Sequence, residues 1–267
     1  MLMRKLARDT VSTLTCRATW GGSQNFLGAH WVERVVDGVP QSARERVALR
    51  FLALSPHYFY DRDLAAEADR NRQSRQILAD GLVVPHLAPD ARVLDYGCGP
   101  GYLAAAVADK AAHVAAVDIS RGVLACARAL NGRPNVTYQT PEQFRAEGGL
   151  VDLAYSVAVV QHLRTAVLEQ MIEVLAAAVR PGGTLLLHFA MAENGYRTEA
   201  DWLADGSLAG RAKLRYGLNC FARSAPEMTG LVRRAGFTDA VVRPLSGRMA
   251  IPGDDIPEQY LLTAMRS

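Results

Sequence analysis

The sequence predicts a doubly wound α/β fold, a mostly parallel seven-stranded sheet with helices on both faces and a helical cap ahead of it. Three observations carry this. From Ala91 onward, short β-branched or leucine-rich runs alternate with alanine-rich helical stretches. Apolar strands separated by helices pair in parallel and are buried on both faces. The first strand ends in a loop of three alternating glycines that opens a helix, and the second ends in an acid. A ligand-binding crevice at the carboxyl ends of the strands has this arrangement.

The elements follow in order. Residues 1–85 read as a helical cap and substrate region, with helical spacing over Arg44 to Leu54 and Leu64 to Leu82. Between these two stretches lies the aromatic connector Ser55-Pro56-His57-Tyr58-Phe59-Tyr60. Residues 86–267 form the main domain. Its strands are expected at Arg92–Asp95, His113–Asp118, Val136–Gln139, Val151–Ser156 and Thr184–Phe189. The alternation stops over 190–221, which reads as a lid insertion. It resumes with a helix at Pro226–Ala235 and strands at Asp239–Arg243 and Glu258–Met265, most simply an antiparallel hairpin on the sheet edge.

Composition excludes several classes. Of 267 residues, 49% are apolar and 21% charged, which rules out wholesale disorder. The net charge of +3 comes with no basic stripe, so a nucleic-acid partner is not expected. No apolar run approaches the roughly 18–20 residues of a membrane span. No apolar segment follows Arg4, Lys5 and Arg8, so a secretory leader is not expected. The cysteines Cys16, Cys98, Cys126 and Cys220 stand far apart with no metal spacing, which reads as reduced thiols in a cytoplasmic protein without a bound metal.

The chemistry concentrates in Asp95-Tyr96-Gly97-Cys98-Gly99-Pro100-Gly101-Tyr102. Glycines let a ligand approach the backbone, and the helix that follows points free N–H groups at it. A dinucleotide loop reads G-x-G-x-x-G. Here the third glycine comes one residue early, and Tyr102 stands in its place. Asp95 would repel a pyrophosphate and attract a cation, so a ligand cationic in its middle is expected. Asp118 ends the second strand, where an acid can accept both hydroxyls of a ribose. Alone, such an acid is as often a helix cap. Coupled to the glycine loop, it marks a nucleoside.

These residues resemble the class I S-adenosylmethionine-dependent methyltransferases, over about residues 70–190 closely and 220–265 loosely; residues 1–65 have no counterpart. The resemblance implies a Rossmann-like domain that binds S-adenosylmethionine and releases S-adenosylhomocysteine. It implies that Gly97, Cys98 and Gly99 line the methionine and ribose, with Asp95, Gly101 and Tyr102 completing the loop, and that Ile119 packs on the adenine. Thr140, Pro141 and Glu142 match a segment at the adenine edge, where many members instead carry Asp-Ala. Ser156 and Val157 would offer backbone groups to the amino end of the cofactor. Arg75 either pairs with the cofactor carboxylate or is a solvated helix-face arginine. His162 either serves as general base for the acceptor or packs the helix after strand four, and packing is favoured. Arg180-Pro181-Gly182-Gly183 reads as a structural turn. His188, at the end of the fifth strand, faces the possible acceptor site or is a satisfied core histidine, and the core reading is favoured.

The motif Asn/Asp-Pro-Pro-aromatic, the paired-glutamate loop and the acidic metal set of other members are missing. That directs attention to a small-molecule acceptor, with O-methylation favoured over C- or N-methylation. Trp20, Trp31, Trp202, Tyr58, Tyr60, Tyr196 and Tyr216 lie in the cap and lid, either lining a cavity or forming the core of the cap. A cofactor-binding scaffold without methyl transfer is the alternative. An aminopropyl transferase lacks its acid cluster here, and dinucleotide reduction is disfavoured by the glycine spacing.

Overall fold

The computed structural model describes residues 29–53, 63–191, 196–216, 219–245 and 259–267. Trp20 and the aromatic connector from Ser55 to Tyr60 lie outside them. The strands are β1 (Arg92–Tyr96), β2 (His113–Val117), β3 (Val136–Gln139), β4 (Val151–Ser156), β5 (Val179–Ala190), β6 (Phe237–Pro244) and β7 (Gln259–Arg266). Among the described residues they form one sheet in the order β3-β2-β1-β4-β5-β7-β6. The first five are parallel, and β7 runs antiparallel to both β5 and β6. The late strands do form an antiparallel pair, but β7 is inserted against β5 and β6 takes the edge. Strand order reverses between β1 and β4, the switch point where ligands bind in such sheets.

The strands are apolar on successive residues, which point to opposite faces of the sheet, and so supply two cores. Leu94, Ala154, Leu185 and Leu187 face a core closed by α7 (Thr165–Ala178) and α10 (Ala225–Arg234). Val93, Leu153, Tyr155 and Leu186 face the other, closed by α4 (Tyr102–Ala108) and the π turn Ala79–Val83 that ends α3 (Leu64–Leu78). Strand β5 is longer than the sequence suggests. It begins at Val179, opposite Val151, and takes up Arg180–Gly183 as a bulge before Thr184 pairs with Leu153. Asp152 pins this end of the sheet, accepting from Arg92 N at 2.7 Å and Arg180 Nε at 2.6 Å.

The described N-terminal helices α1 (Ala29–Gly38) and α2 (Gln41–Leu52) pack on α5 (Arg121–Asn131). Val32, Val36, Leu49 and Leu52 meet Ala125, Cys126 and Leu130 in a third core. Glu33 on α1 pairs with Arg121 at 2.9 Å, and Asp37 with Arg128 at 3.4 Å. No described helix is long and apolar enough to cross a membrane.

Candidate functional site: the carboxyl edge of β1, β2 and β4

Strand β1 delivers Asp95 to this edge, and the chain then turns through Gly97, Gly99 and Gly101 at φ of 87°, 53° and 78°. Side chains with a Cβ rarely adopt that backbone. At two of these positions space forbids one as well. A Cβ on Gly97 would run into the Val159 side chain, and one on Gly101 into the Tyr138 phenol. The N–H groups of the loop are turned inward. Those of Gly97 and Cys98 both donate to Val117 O, at 2.7 and 2.9 Å, and that of Gly101 to Cys98 O at 3.0 Å. Gly99 N donates to Asp118 Oδ2 at 3.0 Å. Burial of Cys98 holds its thiol protonated. Tyr102 opens α4 with a buried hydroxyl that has no hydrogen-bond partner among the described residues.

Asp95 is 2% exposed, and among the described residues its Oδ2 makes no hydrogen bond of good geometry. Burial pushes its carboxyl up to about 8; the nearby Tyr155 hydroxyl works against this, and the Asp118 charge adds to it. A cation beside Asp95 would restore its ionised form.

Strand β2 places half-buried Asp118 next to the loop, and its Oδ1 accepts from Ser120 N at 2.9 Å. Burial raises its carboxyl, while the Ser120 and Gly99 N–H groups lower it. Each oxygen of a carboxylate has a second lone pair, so both can still accept from a ligand. Ile119, beside it, is 58% exposed. At the end of β3, Thr140 caps α6 (Pro141–Glu147) through a reciprocal pair with Gln143. Pro141 is buried as the first helical residue, while Glu142 is exposed beside Arg145.

After β4 the chain makes a turn that closes on the loop. Ser156 Oγ donates to Tyr96 O at 2.7 Å. Val157 is half-buried, and Ala158 stands at φ 60° with its N–H donating to His188 Nδ1 at 3.1 Å. His162 follows in a short 3-10 turn, and its Nδ1 lies 2.7 Å from Asn219 O. A carbonyl only accepts, so Nδ1 carries the proton. Burial lowers the affinity of the His162 ring for a second proton, against the Asn219 bond. Arg75 on α3 donates to Ser74 Oγ at 3.0 Å. Its charge acts to lower the pKa of both Tyr102 and His188.

Residues 93–183 match a family model described as a methyltransferase domain. The malonyl-[acyl-carrier protein] O-methyltransferase of Enterobacter lignolyticus is 26% identical over 229 residues, 86% of this chain and 80% of that one. The ubiquinone biosynthesis O-methyltransferase of Dinoroseobacter shibae is 27% identical over 225 residues, 78% of this chain and 82% of that one. The magnesium protoporphyrin IX methyltransferase of Synechocystis, solved with bound S-adenosylhomocysteine, shares the fold. Its TM-score is 0.52 at 23% identity, covering 79% of this chain and 91% of that one.

The chain is a class I S-adenosylmethionine-dependent methyltransferase.

The edge of this methyltransferase suits a cationic nucleoside. Its loop has spent the N–H groups of Gly97, Cys98, Gly99 and Gly101 internally, so they do not form a phosphate cradle. What it offers instead is close backbone approach and two carboxylates. Cys98, Asp95, Asp118, Ile119, Thr140 and Ser156 are brought together at the carboxyl ends of four adjacent strands.

Sequence reasoning missed the residue that organises the segment between β5 and α10, expected as a lid and termed the roof. Arg223, 3% exposed, donates from Nη1 to Thr165 Oγ1 at 2.7 Å and to Glu227 Oε1 at 2.9 Å. Its Nη2 donates to Leu163 O at 2.6 Å and meets Glu199 Oε2 at 3.4 Å. It therefore ties α8 (Glu199–Ala204), the start of α7 and α10 to the turn that carries His162. Trp202 on α8 is an anchor of the roof: it is buried, its indole N–H donates to Cys220 O at 2.9 Å, and Arg197 stacks over the ring at 4.5 Å. Trp31 is half exposed against Phe51. Helix α9 (Leu208–Tyr216) completes the described roof.

Proposed function

We propose that this methyltransferase transfers the sulfonium methyl of S-adenosylmethionine to an oxygen of a small acceptor enclosed beneath the roof segment, the acceptor's proton having passed to solvent before the site closes. The observation that carries the cofactor site is the buried Asp95, whose Oδ2 makes no hydrogen bond of good geometry among the described residues, beside a loop with no room for a side chain at Gly97 or Gly101. Asp95 faces the positive charge of the cofactor, and Gly97, Cys98 and Gly99 let its methionine and ribose approach. Asp118 accepts from the ribose hydroxyls, and Ile119, Thr140, Pro141 and Glu142 flank the adenine. Ser156 and Val157 border the amino end. Arg75 approaches the carboxylate.

Bound S-adenosylmethionine supplies a methyl group whose sulfur leaves as a neutral thioether. The chain's task is then to orient the reactants and exclude water. His162, with its Nδ1–H committed to Asn219 O, holds the roof to the turn after β4. An oxygen acceptor is supported by the two relatives matched over most of their length, both named O-methyltransferases.

The test supplies methyl-labelled S-adenosylmethionine with separate panels of phenols, alcohols and carboxylic acids, of amines, and of proteins. Label in an ether or ester of a small molecule is expected. Label confined to amines or to protein would overturn the reading.

A further inference from the structure

We infer that His188 is a positioning residue for methyl transfer: by accepting the Ala158 N–H it fixes the turn after β4 against the cofactor loop. The inference rests on the reading that this edge holds the cofactor. Ala158 stands at φ 60°. Left-handed backbone is unfavourable for a residue with a Cβ and persists where its surroundings hold it. The hold is a buried ring on the adjacent strand, β5, with Nδ1 3.1 Å from the Ala158 nitrogen.

That bond settles the ring's chemistry. A backbone N–H donates, so Nδ1 supplies its lone pair and the neutral ring has its proton on Nε2. The lone pair a general base would use is already committed. Burial, then the Arg75 charge, brings the imidazole down to about 4, against a hydrogen bond with the Gln259 side chain, so the ring stays neutral in the working range. Gln259 Nε2 in turn donates to the Tyr196 hydroxyl at 3.3 Å. The ring thereby links the β4 turn to β5.

The turn it holds reaches the cofactor loop on both sides of Ala158. Ser156 Oγ donates to Tyr96 O, immediately before Gly97. The Val159 side chain fills the space next to the Gly97 Cα. A shift at Ala158 would carry Val159 off the loop.

The test uses two amide replacements. His188→Asn places an acceptor where Nδ1 stands, and His188→Gln places it near Nε2 instead. Calorimetry with S-adenosylhomocysteine and hydrogen exchange over residues 156–162 of the ligand-free protein are read for each. His188→Gln is expected to weaken binding roughly tenfold or more and to strip protection from the Ala158 amide. His188→Asn is expected to stay within about threefold of the parent. Adding Ala158→Gly to His188→Gln should recover most of the affinity, because glycine adopts left-handed backbone unaided.

Parental affinity and protection in His188→Gln would overturn the inference, as would a loss that Ala158→Gly does not recover. If His188→Gln does not fold, a folded double variant supports the hold and an unfolded one overturns it. A parent protein that binds no S-adenosylhomocysteine would sink the cofactor reading, while the exchange of the Ala158 amide would still decide the role of His188.

Discussion

The side chain of Val159 occupies the space into which a Cβ on Gly97 would project. The glycine is therefore required twice over, by its φ of 87° and by this neighbour. Gly97→Ala should cost roughly 1–3 kcal/mol from backbone strain plus the cost of displacing Val159. Urea unfolding should show a lowered midpoint. Val159→Ala in the same chain should recover part of the loss, since it removes the clash and leaves the strain. Full recovery would show that φ at residue 97 is of no consequence.

Asp95 gives a pH dependence whose sign can be worked out. Its carboxyl rises from an ordinary 3.8 to about 8 on folding. The folded state therefore binds more protons than the unfolded chain between these values, and the ligand-free protein should lose stability as pH rises through that window. Asp95→Asn should remove the slope and stabilise the ligand-free protein at pH 8 by at least about 1 kcal/mol, while weakening S-adenosylhomocysteine. Its ammonium group favours ionised Asp95, so binding by the parent should release protons at pH 7 and tighten toward pH 8. A pH-independent parent would contradict the placement of the charge.

The parts legible in the sequence are those with local causes. Strands β1 to β4 show their period in four to six residues each, and the glycine spacing with Asp95 and Asp118 at strand ends needs no knowledge of distant contacts. What escaped depends on residues far apart in the chain. Arg223 meets Thr165, 58 positions away, and Leu163, 60 positions away; no spacing reports such a pair. The place of β7 between β5 and β6 is likewise a choice among equally patterned strands. His188 read as a satisfied core histidine, which its bond to Ala158 N agrees with. The left-handed backbone of Ala158 was invisible because alanine does not announce it.

Arg223 is the roof's structural weak point. Its guanidinium is buried among Glu199, Glu227, Thr165 and Leu163 O. Arg223→Met leaves partly buried Glu199 without its cation, and breaking such a pair costs about 3–5 kcal/mol. Chemical denaturation should show a loss of this order. A loss below 1 kcal/mol, with roof protection intact in hydrogen exchange, would mean the cluster is dispensable.

For His162, burial lowers the proton affinity of the ring and the Asn219 bond fixes it in place, which favours positioning over proton transfer. His162→Ala should lower the melting temperature and largely preserve turnover per folded molecule. A fall in turnover of roughly 10²-fold, the scale of a lost general base, in a fully stable variant would assign it the base role.

Calorimetric titration of S-adenosylhomocysteine into the parent and Asp118→Ala proteins, with NAD as the control ligand, tests the cofactor site most directly. The Asp118 carboxylate takes one N–H on each oxygen and keeps a lone pair on each for the ribose. The parent should bind S-adenosylhomocysteine and not NAD, and Asp118→Ala should weaken binding by about 1–3 kcal/mol, the scale of charge-assisted hydrogen bonds lost. Equal affinity in the two proteins, or binding of NAD in preference, would contradict a methyl-donor site at this edge.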